Sequence, residues 1–282
     1  MTVAPVIRVP TKPAMFDNRT AIDRVGLTGL QRRIDGVRGL GRNHFALEIE
    51  GRRIGYCYIR KNACSSFKKL FLDHSPHRSR IQQNERPIDF IRRFHRLPVE
   101  ELFRCDDLIF VYRDPVARVL SMFRNKFIAR NGATDILAGF RRITGRDPER
   151  ASFQSFVEAY LGQDPGYLDR HVQPQRMHLQ RVVYTHAIPI DGLHGAMSAL
   201  LGAPLADRYF LKPVNRTSNA TLVHLPGGAV RPVREWQNLF DLRAEMPDDA
   251  SLLSDALVAR LRRIYAMDYA MLDAVKHASR CH

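Results

Sequence analysis

Residues 58–69 read Tyr-Ile-Arg-Lys-Asn-Ala-Cys-Ser-Ser-Phe-Lys-Lys. An apolar run ends in a basic pair, small residues follow, and Phe67, Leu70 and Phe71 then recur at helical spacing. That layout can build an anion site. The backbone N–H groups of Asn62, Ala63, Cys64, Ser65 and Ser66 at a helix N-terminus point at a bound phosphate, and the small side chains let it approach. Arg60 and Lys61 supply positive charge, and the hydroxyls of Ser65 and Ser66 supply further donors. An ordinary strand-to-helix turn with surface basic residues would read the same way. The pattern Gly-x-x-x-x-Gly-Lys-Ser/Thr occurs nowhere in the chain, which argues against a magnesium- and ATP-dependent kinase of the Walker type.

A second cluster follows at residues 111–127, Val-Tyr-Arg-Asp-Pro-Val-Ala-Arg-Val-Leu-Ser-Met-Phe-Arg-Asn-Lys-Phe. The preceding run 108–112 suits a parallel strand buried on both faces. Asp114 is a suitable N-cap and Pro115 fits the first helical position. Val116, Val119, Leu120, Phe123 and Phe127 make an apolar stripe, and Arg118, Ser121 and Asn125 share a different face. Taken singly, Arg113 could be a salt-bridge residue and Ser121 a small exposed helix position.

The elements that must position these residues alternate. Residues 44–49 and 53–59 predict a hairpin around Glu50-Gly51 that leads into the core. Ser152 caps a helix over 152–161, residues 181–188 form a strand, and 192–201 form a helix closed by Gly202. A last long helix over 251–277 turns Leu253, Leu257, Leu261, Ile264, Met271 and Val275 to the core. The expectation is a single α/β domain over residues 43–282. Residues 1–42 carry Pro5, Pro10 and Pro13 without clear periodicity and read as an extended or partly disordered arm in which no chemistry is expected.

At 282 residues and 45% hydrophobic the chain can bury a sizeable core, and a formal charge of +15 favours anionic partners. The basic residues come in scattered pairs, with no zinc-finger spacing or aromatic RNA-binding signature, so nucleic acid is not an expected partner. The four cysteines, Cys57, Cys64, Cys105 and Cys281, are irregularly spaced and read as reduced thiols rather than a disulfide framework or a metal site. The first 13 residues hold no continuous apolar run, so neither a secretory signal nor an anchor is expected and the reading is cytoplasmic. On that reading the glycosylation-like triplets at Asn18, Asn215 and Asn219 are chance matches.

Together the two clusters resemble the paired phosphate-binding motifs of the carbohydrate sulfotransferases, the Golgi-type family 2 enzymes, in a soluble, bacterial-type form. His171-Val172-Gln173-Pro174-Gln175 is similar to that family's His-Trp-x-Pro-Gln segment, with Val172 in place of tryptophan. Pro213-Val214-Asn215-Arg216-Thr217 and Tyr265-Ala266-Met267-Asp268-Tyr269 resemble its late Val-Asn segment and its terminal Tyr-x-x-Asp-Tyr helix, so the likeness spans about residues 53–272. Arg60-Lys61 stands where the family has Pro-Lys, and the eukaryotic enzymes' membrane anchor and paired luminal cysteines are missing.

The resemblance implies a P-loop-like, doubly wound parallel sheet with its nucleotide beyond the carboxyl ends of the strands. It implies 3′-phosphoadenosine 5′-phosphosulfate (PAPS) as sulfonate donor, released as adenosine 3′,5′-bisphosphate (PAP). Lys61, or Arg60 beside it, would be the catalytic cation. The loop through Ser66 would hold the 5′-phosphate, and Arg113 and Ser121 the 3′-phosphate. A general base must take the acceptor hydroxyl's proton, and histidine suits the task. Among 11 histidines His171 is the first choice, with His95 and His74 as alternatives. No metal is called for. The acceptor would be a carbohydrate or glycolipid shaped by segments 74–107 and 129–180, and a lipid-linked acceptor would place the enzyme peripherally at a membrane. Nothing in the sequence bears on oligomeric state. The competing readings are a P-loop-like small-molecule phosphotransferase and a non-enzymatic polyanion-binding protein.

Overall fold

The computed structural model describes residues 14–37, 41, 43–212 and 220–280, so the 213–217 segment, Asn219 and Cys281 lie outside the described residues. Five strands form the main sheet: β1 Ala14–Asp17, β2 His44–Ile49, β3 Arg52–Cys57, β4 Asp107–Tyr112 and β5 Val183–Pro189, in spatial order β1-β5-β4-β3-β2. The strands β3, β4 and β5 are parallel, and the outer two run antiparallel to their neighbours. A pair of short parallel strands, β6 Thr221–Val223 and β7 Glu245–Pro247, lies apart. The helices are α1 Ala21–Arg24, α2 Thr28–Val37, α3 Cys64–His74, α4 Pro87–Phe94, α5 Pro115–Phe123, α6 Thr134–Thr144, α7 Phe153–Ser155, α8 Leu193–Leu201, α9 Ala203–Phe210, α10 Val233–Arg243, α11 Asp249–Leu252, α12 Asp255–Ile264 and α13 Ala266–Arg280.

The hairpin of β2 and β3 turns where expected, with Glu50 and Gly51 both in the left-handed region at φ 52° and 76°, the conformation a two-residue hairpin turn needs. The apolar run of β4 is continuous because both of its faces are covered. Ile109 and Val111 pack with α3, α4, α8 and α9 on one side, while Leu108 and Phe110 pack with β1 and α13 on the other. The expected α/β sheet with helices on both faces is therefore present. A third core, built around Phe123, Phe127, Phe153, Phe156 and Trp236, binds the sheet's neighbour α5 to α10 and α12.

Two elements depart from the sequence reading. Within the segment read as an arm, β1 pairs with β5 because Ala14 and Phe16 alternate inward, Phe16 meeting Phe110 edge-on at 5.6 Å. The helix expected over 251–277 is broken into α11, α12 and α13. Leu253 leaves the helical region, the Ser254 hydroxyl accepts the amide of Leu257 to start a new helix, and Tyr265 breaks the path again so that its hydroxyl donates to the Val172 carbonyl at 2.7 Å. The apolar periodicity survives these breaks, since Leu257, Leu261, Met271 and Val275 are all buried.

Two buried histidines make the fold acid-sensitive. The His44 ring is held between the Gly41 carbonyl (3.1 Å) and the Tyr184 hydroxyl (2.8 Å), and burial pushes its pKa down to about 4 although the Gly41 bond opposes this. Burial, reinforced by Arg118, Arg170 and Arg60, holds His178 well below the ordinary histidine value. Both folded values lie below the unfolded ones, so unfolded chains bind more protons and stability is complete above about pH 6.5 and is lost as pH falls from there. The melting midpoint should fall steadily between about pH 7 and pH 5, and less steeply in His44→Gln. A midpoint unchanged over that range would contradict the assignment.

Candidate active site

The chain leaves β3 at the carboxyl edge of the sheet and turns through residues 58–63 into α3. Lys61 (φ 71°) and Ala63 (φ 55°) adopt the left-handed conformation, and Ala63 starts α3 without a side-chain cap. Alternating positive φ values curl successive amides around a concavity suited to an anion. The amides of Asn62 and Ser66 bond to the carbonyls of Ile59 (3.3 Å) and Ala63 (3.0 Å), which leaves those of Ala63 and Cys64 with no backbone acceptor among the described residues. Ser65 and Cys64 are half-buried at the first turn of α3, and Ser66 is buried. The Asn62 side chain turns inward, where Nδ2 donates to the Val111 carbonyl at 2.8 Å and to Gln175 Oε1 at 2.6 Å. Asn62 thus fastens the loop to β4 instead of presenting its amide to a ligand.

Arg113 follows β4, and Asp114 caps α5 by accepting the Ala117 amide at 2.9 Å, with Pro115 in the first turn. The Arg113 guanidinium makes no hydrogen bond or ion pair among the described residues, and burial lowers its pKa despite the more distant Asp191 and Asp249. Ser121 lies half-buried two turns along α5. Between them Arg118 is fully buried, and its guanidinium donates to the carbonyls of Arg60 (3.1 Å), Gln173 (2.8 Å) and Arg170 (3.5 Å). Arg118 therefore ties the loop to the 170–173 segment. Just beyond α5, residues Arg124–Ile128 form a π-helical turn that carries Lys126, whose ammonium donates to the carbonyls of Asn131 and Gly132.

Lys61 lies among these cations. Burial pushes its pKa down to about 8, Lys126, Arg113 and Arg118 push the same way, and the ammonium has no carboxylate partner among the described residues. A half-buried ammonium without a carboxylate partner among the described residues, beside an uncapped helix N-terminus, makes this corner of the molecule electropositive.

His171 stands on the other side of Arg60. Its Nδ1 lies 2.6 Å from Asp169 Oδ1 and 2.9 Å from Arg60 Nη1, and Arg60 reaches Asp169 at 3.4 Å. With Nδ1 protonated and donating to Asp169, Nε2 is left as a proton acceptor. Burial lowers the His171 pKa to about 4, with Arg60 adding to the effect and the Asp169 bond opposing it. Burial alone would raise Asp169, but the hydrogen bond and charge of His171 and the charge of Arg60 outweigh it and hold the carboxyl at about 2.

The alternative bases lie elsewhere. His95 spends both ring nitrogens, on the Ala46 carbonyl (2.9 Å) and the Ser75 hydroxyl (2.7 Å), and Ser75 follows the far end of α3. His74 closes α3 and contacts the Tyr209 hydroxyl at 3.1 Å. Eleven helical residues separate that end from the loop by roughly 16 Å.

Residues from the later motifs hold the two clusters together. Gln175 Oε1 accepts from Asn62 and from the Arg113 amide (3.0 Å), and its Nε2 donates to the Arg113 carbonyl (2.8 Å). Asp268 accepts the amides of Gln175 (2.8 Å) and Arg176 (2.9 Å). Reading single motifs did not reveal the roles of Arg118, Lys126, Gln175 and Asp268, although all four lie in segments already marked by pattern. Replacing Gln175 with methionine keeps its volume but leaves buried groups on Asn62 and Arg113 unpaired, each costing roughly 1–3 kcal/mol. Urea denaturation should show Gln175→Met destabilised by at least about 2 kcal/mol, and a change under about 0.5 kcal/mol would refute the clamp.

Among the described residues no group of three His, Cys, Asp or Glu side chains could hold a metal ion, and no helix is long and apolar enough to cross a membrane. Residues 48–187, which contain the 58–69 and 111–127 segments and His171, match the model of the sulfotransferase family. Over 139 residues the chain is 29% identical to mouse (Mus musculus) carbohydrate sulfotransferase 14, a match covering 43% of this chain and 36% of that relative, so the chain spans little more than a third of the relative's length. No solved structure matches it significantly. The loop into the uncapped helix α3 and the turn after the adjacent parallel strand β4 both fall within the matched region, and the chain belongs to the sulfotransferase family.

Proposed function

We propose that the chain transfers a sulfonate group from PAPS to a hydroxyl of a carbohydrate or glycoconjugate. The observation that carries this reading is the pair of half-buried cations Lys61 and Arg113, which have no carboxylate partner among the described residues, one in the loop after β3 and the other directly after the adjacent parallel strand β4. Two such cations beyond the same edge of the sheet suit the two phosphate groups of one nucleotide. Family membership supports the sulfonate chemistry, and the carbohydrate sulfotransferase among its relatives supports the acceptor class.

The donor, when bound, supplies a sulfonate joined to a phosphate leaving group. The residues present suit it. The amides of Ala63 and Cys64 and the hydroxyl of Ser65 would meet the 5′-phosphate, and Lys61 would sit where charge develops as that phosphate departs. Arg113 and Ser121 would hold the 3′-phosphate that separates this nucleotide from ATP. Because Lys61 and the amides stabilise the developing charge, the reaction needs no divalent metal. His171, oriented by Asp169, would take the acceptor hydroxyl's proton on Nε2. Arg60 lies against the ring and steadies the Asp169 carboxylate.

Calorimetry tests the nucleotide assignment. PAP should bind much more tightly than AMP, and Arg113→Ala should remove about ten- to a hundredfold of that preference, the range for a charge-assisted phosphate contact. Equal affinities in the parent protein would sink the assignment.

The two shifted groups set the pH profile. Lys61 acts protonated, and with its pKa lowered to about 8 it loses its charge as pH rises through that value, so kcat/KM should fall on the alkaline side near pH 8. His171 acts neutral, and with its value near 4 it stays a base well below pH 6.5, so no loss should appear between about pH 7 and pH 5.5. Lys61→Arg, which cannot lose its charge, should shift the alkaline limb beyond about pH 10 at reduced rate. His171→Ala should bind PAP normally and lose about two to four powers of ten in rate. An alkaline limb unmoved in Lys61→Arg, or full activity in His171→Ala, would reassign the role concerned.

A further inference from the structure

The N-terminal pair α1 and α2 is built inside out. The inward residues of α2 are polar. Gln31 donates to Asp35 at 3.0 Å, Asp35 pairs with Arg181 at 3.2 Å, and both Gln31 and Asp35 are buried. Asp23, the acidic residue of α1, is also buried and locked into a capping box with Thr20. The outward residues are apolar: Leu27 is 55% exposed, Leu30 52%, Ile34 39% and Val37 90%, and Val25 between the helices is 71% exposed. At 100° per residue Leu30, Ile34 and Val37 fall within one narrow stripe that continues to Leu27, and Arg33 borders it.

The charges on this unit sort in the same way. Its acidic side chains point inward, whereas Arg24, Arg32 and Arg33 are exposed, with Arg24 also reaching Asp17 of β1 at 3.4 Å. Arg32 pairs with Glu100 at 3.2 Å, which sets beside α2 the 3₁₀ turn Val99–Arg104, where Phe103 is 76% exposed. An apolar stripe bordered by arginine and free of exposed carboxylates on its own helices is the pattern of an amphipathic helix lying in a lipid headgroup layer. A water-facing helix would carry its carboxylate and amide side chains outside, and this one carries Gln31 and Asp35 inside, with only arginines exposed beside the apolar stripe. The chain's formal charge of +15 adds long-range attraction to an anionic surface.

We propose that the α1–α2 unit is a docking surface for an anionic membrane, with Leu27, Leu30, Ile34 and Val37 entering the interface and Arg24 and Arg33 contacting lipid phosphates. The inference is independent of the transfer reaction. It would hold the enzyme at a bilayer without any spanning helix, by burial of apolar area together with charge.

The full-length protein would be sedimented with vesicles of phosphatidylcholine alone and of phosphatidylcholine containing about a quarter phosphatidylserine. Parent protein should bind the anionic vesicles and largely spare the neutral ones. Leu30→Ser/Ile34→Ser keeps every charge and removes the centre of the stripe, and it should weaken binding about tenfold or more while melting at an unchanged temperature. Arg24→Glu/Arg33→Glu should weaken it comparably and flatten its salt dependence. Equal binding of the parent and the serine variant would show diffuse adsorption of a basic protein and overturn the proposal. So would a parent that ignores vesicles but forms a dimer, seen by sedimentation velocity and lost in Leu30→Ser/Ile34→Ser, since the stripe would then belong to a second copy of the chain.

Discussion

The carboxamide of Gln175 is fully buried, and its two polar atoms join chain segments that are far apart in sequence. Oε1 accepts from the Asn62 side chain and the Arg113 amide, and Nε2 donates to the Arg113 carbonyl and, at 3.3 Å, to Asp268. Only one orientation satisfies these contacts, because a flipped amide would face two N–H groups with an N–H of its own. The end of β4 and the loop after β3 are thereby held in register with the carboxylate of α13. Every residue assigned to the nucleotide hangs on one of these two segments.

The same network explains how so much positive charge can be concentrated there. Among the described residues no carboxylate neutralises Arg118, yet three backbone carbonyls accept its donors. Asp268 is buried with its carboxylate turned to amides, and burial raises its pKa although those amides and Arg118 oppose this. The pair of structural charges is thus satisfied within the protein. Lys61 and Arg113 are not. A lysine lowered from 10.5 to about 8 is disfavoured as a cation by roughly 3 kcal/mol. Such a cost is recovered when an anion displaces the remaining water and restores the missing partner. The separation of satisfied from unsatisfied cations is what the proposed nucleotide site rests on.

Much of this was legible in the sequence because it depends on local rules. The hairpin turn, the two-faced run of β4 and the Asp114-Pro115 start of α5 are short-range patterns with one physical solution each. The sequence equally marked Lys61 and Arg113 by type and position. What it could not supply was direction. Asn62 and Ser66 occur in a phosphate-loop pattern, but whether a side chain or an amide faces outward is decided by contacts to Val111, Gln175 and Ala63 that no spacing encodes. Helical periodicity across 251–277 concealed two breaks because Ser254 and Tyr265 fit the pattern while their polar groups bond outside it. His95 and His74 stood as alternatives to His171 until the structure placed them at the end of α3 opposite the loop, His74 closing the helix and His95 against Ser75. In the N-terminal segment three prolines outweighed the two-residue alternation of Ala14 and Phe16.

The loop itself stores a modest strain whose placement follows from its task. Lys61 and Ala63 hold positive φ, a conformation glycine adopts freely and other residues adopt at a cost of about 1–2 kcal/mol each. Glycine at position 61 would relieve that strain and remove the ammonium, so the strain is inseparable from having a cation inside the turn. Ala63 presents a single methyl at the point where the amide of Cys64 must face outward, and a larger side chain would crowd the approach. The π-helical turn at Arg124–Ile128 is a similar compromise. By admitting one extra residue it changes the direction in which the helix presents Lys126, which faces the loop's cations, while Phe127 stays in the core against Phe123 at 5.2 Å. In both places regular geometry is given up over a few residues, and the surrounding aromatic core and hydrogen-bonded clamp hold the irregular backbone in an arrangement that brings Arg113 and Lys126 near enough to Lys61 to disfavour its charge.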